Sequence, residues 1–551
     1  MGLSLFFFSF RCLILWLLLL YFSVLAHFTC CVQSLCRDDE RSALLQFKGT
    51  MIINKFASSE PSVYPKVASW KVDKDCCLWD GVTCNEVTGH LVKLDLASSC
   101  LYGSINSSSS LFHLVHLTWL SLDDNDFNGS KIPSAIKNLS RLSYLSLYNS
   151  NFSGQIPSEV LELSKLETLD TTFNFNLELQ NPSLRSLVEK LTQLKVLYLG
   201  HINISSSVPD ILANLSSLTK LSLKGCHLKG EFPAKIFQLP NLRMLSVRFN
   251  PDLFGSLPEF QNNNHLEELR VASTSFYGKI PHSIGNLSSL QTLDISSCSF
   301  SGLIPPSLGN LTKITYLGLA NNTFSGELPI ALGNLSSLEG LDLFENDFSS
   351  HDFRSLSWMA RYSKLTSLSL SATNLVGEIP SWLMSLTTLT ILHLSTNGLN
   401  GSIPSQIRNL TQLKELALNS NQLQGPFPSG LYYLQNLDLL YLDSNNLSGT
   451  VDLGMIASKL INLENFSLSS NKFSLLTNTN GDTKFPKLRR LGLGYCNLNK
   501  FPSFLQNQHQ LVDLNLNSNK IAGKVPRWFL NVSVDSLQNL NLANNLLTGF
   551  D

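Results

Sequence analysis

The stretch SLQTLDISSCSFSGLIPPSLGNLT, Ser289 to Thr312, is repeated almost word for word on either side. The 24 residues before it read HLEELRVASTSFYGKIPHSIGNLS, and the 24 after it read KITYLGLANNTFSGELPIALGNLS. One frame fits all three: L-x-x-L-x-L-x-x-N-x-L-x-G-x-I-P, closed by a looser x-x-L-x-x-L-x. Its first Leu or Ile recurs at 194, 218, 242, 266, 290, 314 and 338, a constant spacing of 24. It also occurs at 91, 117, 142 and 166 before that run, and at 365, 389, 413, 437, 463, 488, 511 and 537 after it. That makes nineteen starts, the last repeat being cut short.

Within L-x-L the alternation marks a short strand, Leu facing inward and the x residues outward. No single repeat can bury its apolar residues alone, so neighbours and end caps are obligatory. A period of this length is the signature of a leucine-rich-repeat solenoid. The expected fold is an α/β solenoid, a curved right-handed superhelix with a parallel concave sheet. With strands about 4.8 Å apart, nineteen of them would form a ribbon of roughly 90 Å.

The ninth frame position follows the strand, where backbone groups leave the ladder and need partners. An Asn side chain offers both an acceptor and donors. Asn stands there at 125, 174, 250, 322, 346, 397, 421, 445, 471, 519 and 545. The exceptions include Cys226, Cys298, Cys496, Thr274, Thr373, Ser99 and Ser150, all small. The frame therefore makes Cys298 a buried ladder residue rather than a disulfide partner, metal ligand or nucleophile; Cys100, one place later, has no such explanation. In the G-x-I-P tail Gly permits an unusual turn and Pro ends pairing, so a second short extended segment and a loose helical turn are expected after each strand.

The chain has 551 residues and a net charge of −1, with 15% charged residues and no Lys/Arg run beyond two. Nucleic acid is not an expected partner. The N-terminus places Arg11 before an apolar run from Cys12 to Leu20, with small residues at Ala26 and Ser34. This reads as a secretory signal peptide over residues 1–34, cut after one of those two, an uncleaved anchor being the alternative. No other segment approaches the ~20 apolar residues of a membrane span. The expected organisation is a cap over 35–89 and a repeat array over 90–551.

Cys36, Cys76, Cys77 and Cys84 cluster in the cap, in an oxidising compartment. Four cysteines allow three pairings. Adjacent cysteines rarely bond each other, and Cys36–Cys76 with Cys77–Cys84 is the pairing expected here. The first closes a loop worth roughly 4 kcal/mol in the chain-entropy model. Asp38 is expected to cap a helix whose one face carries Leu44, Leu45, Lys48, Met51 and Ile52, with Trp70 and Trp79 packed beneath the disulfides.

The repeat frame and the cap together, CRDDERSALLQFKGT followed by ASWKVDKDCCLWDGVTCNEVTGHLVKLDL, resemble the plant extracellular leucine-rich repeat with its N-terminal cap. The texture is most similar to plant receptor-like proteins of the Cf and HcrVf disease-resistance type. The resemblance implies a cell-surface receptor for a peptide, protein or cell-wall glycan ligand, acting in defence or development through a co-receptor kinase. The sequence stops at LANNLLTGFD, without the further repeats, island, C-terminal cap and membrane helix of that family, so it is expected to be a truncated form. Such a protein enters the secretory pathway and reaches the plasma membrane if the full-length chain has a membrane helix, or the apoplast otherwise. Two other readings are a secreted inhibitor of the polygalacturonase-inhibitor type, which has fewer repeats, and the outer part of a receptor kinase.

No zinc-protease motif, Walker loop or C-x-x-C pair is present, and the two Gly of GLGYCN (492–497) fall on strand positions. No enzyme, cofactor or metal is expected. Sequons occur at Asn106, Asn128, Asn138, Asn151, Asn203, Asn214, Asn286, Asn310, Asn334, Asn400, Asn409, Asn446 and Asn531. Those at 138, 214, 286, 310, 334 and 409 lie four residues before the next first Leu, away from the concave strand. Asn321 and Asn465 map to the concave side, where glycosylation would obstruct binding.

Solenoids bind through the outward strand residues. Here these include Trp119, Tyr144, Tyr148, Tyr198, Lys220, Lys224, Arg248, Arg270, Phe344, Glu345, His393, Tyr441, Asp443, Arg490 and Tyr495. Aromatics and Arg are the types enriched at binding hot spots. Lys220, Lys224, Arg248 and Arg270 form a basic stretch over three adjacent repeats that suits an acidic peptide or an oligogalacturonide. Two frame breaks, NLELQNPSLRSLVEKLT before Leu194 and SSHDFRSLSWMARYS before Leu365, are expected to place a loop or extra helical turn on one side.

Overall fold

A computed structural model describes residues 36–476, 485–533 and 535–550. The expected signal peptide, with Cys12, Cys30 and Cys31, lies outside the described residues. The chain forms two compact units, one running to Ile204 and the other starting at Ser205.

The first unit opens with helix α1, Asp38–Gly49, whose first turn carries Asp38, Asp39 and Glu40. These acids complement the positive end of the helix dipole. The N-cap is Arg37, with no side-chain cap; Asp38 sits inside the helix and pairs with Arg41 instead. The buried face is Glu40, Ala43, Leu44 and Phe47, which corrects the face read from the sequence. Of the residues expected there, Leu44 is buried while Leu45 and Lys48 are half-buried. Met51 and Ile52 lie past the helix end, and Ile52–Ile53 pairs antiparallel with Leu101–Tyr102. Disulfides join Cys36 to Cys76 and Cys77 to Cys84. Trp70 stacks on Trp79 with ring centroids 5.5 Å apart, and its Nε1 donates to the Asp80 carbonyl at 3.0 Å. Cys100 has a place too: its carbonyl accepts from Asn54 N–H at 2.8 Å and its own N–H donates to Ser58 Oγ at 3.0 Å. It fastens the segment after the cap helix to the first repeat.

Five parallel strands follow in this unit: Leu91–Asp95, Trp119–Ser121, Tyr144–Ser146, Thr168–Asp170 and Val196–Tyr198. Val82–Cys84 covers the first of them antiparallel. The frame break before Leu194 forms helix α2, Leu184–Lys190, with the Ser183 side chain capping it.

The second unit continues the same pattern from Lys220–Ser222 to Asn539–Asn541, fourteen parallel strands among the described residues. Register advances by one repeat: Thr292, Leu293 and Asp294 lie against Tyr316, Leu317 and Gly318. Leu at the inward positions is buried except in the last repeat, where Leu540 is 46% exposed, and Phe276, Phe300, Phe324 and Phe348 form a column behind the strands at 1% exposure or less. After most turns a second extended segment pairs with its neighbours, six strands running from Gly230–Glu231 to Asp347–Phe348. The Pro of G-x-I-P then stands as N-cap to a single 3-10 turn, as Pro305 does for Pro306–Asn310. The break before Leu365 holds the longer 3-10 segment Phe353–Arg361. A helix α3, Leu453–Lys459, sits in the repeat that starts at Leu437, which the frame did not single out.

The Asn ladder works through the preceding coil. Asn250 Oδ1 accepts from Cys226 N–H at 3.0 Å and Leu228 N–H at 2.9 Å. Its Nδ2 donates to the carbonyls of Leu223 at 2.9 Å and Val247 at 2.8 Å. Cys298 in the same position reaches the carbonyls of Val271 at 3.4 Å and Ser296 at 3.5 Å, and burial pushes its thiol up. It is a weak donor filling an Asn place.

The eighth frame position is left-handed in all nineteen repeats, with φ between 48° and 63°. The turn that swings the ninth side chain inward requires it. Ser, Asn and Gly dominate there, since a β-carbon in this region costs roughly 1–2 kcal/mol. Five occupants are large nonetheless: Phe173, His201, Phe249, Glu345 and Tyr495.

Candidate functional site

Each repeat presents to the outer face of its sheet the two residues flanking the central Leu and the two turn residues that follow. In the first unit this face is aromatic and acidic. Trp119 and Tyr144 stack with centroids 3.4 Å apart, and Lys93 Nζ lies 4.7 Å over the Trp119 ring. Tyr148 meets Phe173 edge-on at 5.5 Å, and Phe173 stacks on His201 at 4.7 Å. Asp123 accepts from the Ser146 hydroxyl and from Tyr148 N–H. Burial pushes the Asp170 carboxyl up to about 6. Tyr198 lies half-buried at the end of the last strand.

The face of the second unit begins basic. Two cations approach the Phe249 ring, Lys224 Nζ and Arg248 Cζ each lying 5.2 Å from its centroid. Burial, then the charges of Arg248 and Arg270, hold the Lys224 amine below its ordinary range. Cations lowering one another's proton affinity mark a site that favours an anion. Lys220 is exposed at the start of its strand. The block is less purely basic than its sequence: Arg248 Nη1 pairs with Asp294 at 3.2 Å and Arg270 Nη2 with Glu268 at 3.1 Å. The Nε atoms of Arg248 and Arg270 are buried without a hydrogen-bond partner. Next along the face, Tyr316 is pushed up to about 12 by burial and by Asp294 and Asp342. The sequence reading missed Phe249, Asp294 and Tyr316. Phe249 could have been found from its bulk at a position that most often takes Ser, Asn or Gly.

The remaining candidates lie further along the second unit. Phe344 is 39% exposed beside Glu345. His393 Nε2 lies 3.0 Å from Glu415. Tyr441, Asp443, Arg490 and Asp513 line an open trough of about 840 Å³. Arg490 is fixed there by Asp513 at 2.9 Å. Tyr495 stands 53% exposed in the left-handed turn. In this trough the one cation, Arg490, is paired with Asp513; the block keeps an excess of cations, and electrostatics favour it. Of the six regularly spaced sequons, Asn138, Asn214, Asn310, Asn334 and Asn409 are exposed at the ends of the 3-10 turns, and Asn286 is half-buried. Asn321 is on the outer sheet face, its Nδ2 bonded to Ser297 Oγ at 3.3 Å.

Among the described residues no helix is long and apolar enough to cross a membrane. The profile of the leucine rich repeat N-terminal domain matches residues 37–85, that of a leucine-rich repeat region 255–360, and that of the leucine rich repeat 364–386 and 388–410. Receptor-like protein 6 of Arabidopsis thaliana is 39% identical over 274 residues, 47% of this chain and 28% of its own length. Receptor-like protein Cf-9 of Solanum pimpinellifolium is 37% identical over 267 residues, 46% of this chain and 31% of its own length. These matches thus span under a third of either relative. Among solved structures, the ectodomain of the Arabidopsis receptor kinase HAESA with an extended IDA peptide hormone superposes with a TM-score of 0.61 at 27% identity, covering 93% of this chain and 94% of that one. The same receptor with IDA and the co-receptor SERK1 gives a TM-score of 0.55 at 25% identity, covering 93% and 95%. The chain is a leucine-rich-repeat protein with the matching N-terminal domain, similar to receptor-like proteins of the Cf-9 type.

Proposed function

We propose that this chain is the ligand-recognising part of an extracellular receptor-like protein, and that it takes an acidic peptide on the outer sheet face of its second unit. The observation that carries the reading is Phe249, held in a left-handed turn with Lys224 and Arg248 against its ring and Arg270 nearby. A bulky residue kept in a costly backbone region is a reasonable sign of function. An aromatic ring beside cations gives a peptide both an apolar anchor and charge complementarity. The peptide hormone on HAESA supports a peptide over a glycan. The Cf-9 likeness supports a role in plant defence, and the SERK1 complex of HAESA supports signalling through a partner kinase.

The test is hydrogen exchange with and without a short peptide of Asp, Glu and Tyr. The proposal expects slowed exchange confined to the segment from Lys220 to Tyr316. Protection elsewhere, or none, refutes it.

A further inference from the structure

We infer that Glu40, His90 and His116 form a binding site for a divalent transition-metal ion of the zinc class. The three belong to the first unit and reach one place from three elements. Glu40 comes from the first turn of α1 and is 4% exposed. His90 and His116 each precede the first Leu of a repeat, and the register of the coils stacks their rings with centroids 3.6 Å apart. One donor atom from each lies within 4.8 Å of the other two.

The donor set fits the ion. Two imidazoles and a carboxylate are a common zinc triad that leaves a fourth position for water. Glu40 Oε1 and His90 Nδ1 stand 3.2 Å apart, close to the ~3.3 Å between neighbouring ligands of a tetrahedral ion with bonds of 2.0–2.1 Å. The other Glu40 oxygen accepts from Leu91 N–H at 2.8 Å, so the carboxylate is oriented by the backbone, as ligating carboxylates usually are. The residue before the first Leu has a different task elsewhere: Asn241, Asn436 and Asn462 each donate to a carbonyl of the preceding coil at 2.9 Å. His116 makes no such bond. Its ring is therefore able to turn its lone pair toward the Glu40–His90 pair, which the stacked arrangement requires before all three can ligate. The charge of Asp39 favours a cation there, and that of Arg141 opposes it. The other donor grouping among the described residues, Cys36, Asp75, Cys76 and Cys77, has its thiols committed to disulfides. An ion held by the triad would tie the cap helix to the first two coils.

Calorimetric titration of the chain with zinc chloride tests the site, alongside His116→Asn and His90→Asn. The expected result is saturable binding of one ion per chain, weakened at least about tenfold in both variants. Zinc should also raise the melting temperature of the parent by mass action, and not that of His116→Asn. Since the His116 side chain makes no hydrogen bond and its ring contact is the stack on His90, the metal-free variant should melt close to the parent, separating loss of ligation from loss of fold. Absence of saturable binding up to about 100 μM zinc, or equal binding by parent and His116→Asn, overturns the inference.

Discussion

Arg248 Nη1 lies 3.2 Å from Asp294 Oδ2, joining side chains 46 residues apart across two repeats of the second unit. Asp294 is 10% exposed in its side chain and Arg248 22%, so the pair is shielded and partly neutralises the cationic block. Asp294→Asn should release that charge and tighten binding of an acidic peptide about threefold to tenfold. The lost pair, mostly shielded from water, should cost on the order of 1–3 kcal/mol. Fluorescence anisotropy with the Asp/Glu/Tyr peptide measures the first and calorimetry the second. Arg270→Glu, on a half-buried pair, should weaken binding and leave the melting temperature in place. Equal loss of both in that variant would mean Arg270 serves the fold.

Phe249→Gly separates function from stability in the opposite sense. Glycine relieves the left-handed backbone, with an expected gain of up to about 1 kcal/mol. Removal of the ring beside Lys224 and Arg248 should weaken the same peptide about tenfold or more. A variant that is more stable and binds worse is the expected signature. Unchanged affinity would make Phe249 an ordinary surface residue.

Asn250→Ala strips the ladder of its bonds to Cys226, Leu228, Leu223 and Val247. Leaving these buried groups unpaired should cost about 3 kcal/mol and speed amide exchange at Cys226 and Leu228. Cys298→Asn should do the reverse, because Cys298 occupies an Asn place with weaker bonding. A gain of about 1 kcal/mol is expected from urea midpoints.

Asp170 supplies a pH test. Its folded-state carboxyl, pushed by burial from the ordinary carboxylate value of 3.8 up to about 6, holds a proton that the unfolded chain has released between those values. Its contribution to the first unit's stability therefore improves as pH falls from 7 towards 4. Asp170→Asn keeps an acceptor for Thr172 N–H and should raise stability at pH 7 by up to about 2 kcal/mol. The variant's melting temperature should depend less on pH across that window. A parent and variant with parallel pH profiles would show that Asp170 is not responsible.

The repeat frame was legible because every coil solves one burial problem in the same way. The inward Leu, the ninth-position Asn and the G-x-I-P turn each recur with their reason attached. Cys298 could be placed in the ladder from its frame position, though it is half-buried rather than buried. The face of α1 was misread by about one residue because Glu40, a polar residue, is on the buried side, bonded to Leu91 N–H. The eighth-position constraint was overlooked because Ser and Asn there look like turn filler. Its exceptions, Phe249 above all, are what mark the candidate site. The Arg248–Asp294 pair and the Glu40–His90–His116 cluster escaped notice for another reason: they join residues from different coils whose spacing follows no short motif.

The most direct measurement is the affinity of the acidic peptide for the parent chain and for the triple variant Lys224→Glu, Arg248→Glu, Arg270→Glu, at low and high salt. Saturable binding by the parent, weakened by salt and abolished in a triple variant that keeps its native circular dichroism, is the expected result. A folded triple variant that binds as tightly as the parent, or a parent that does not bind, would contradict the assignment of ligand recognition to this face.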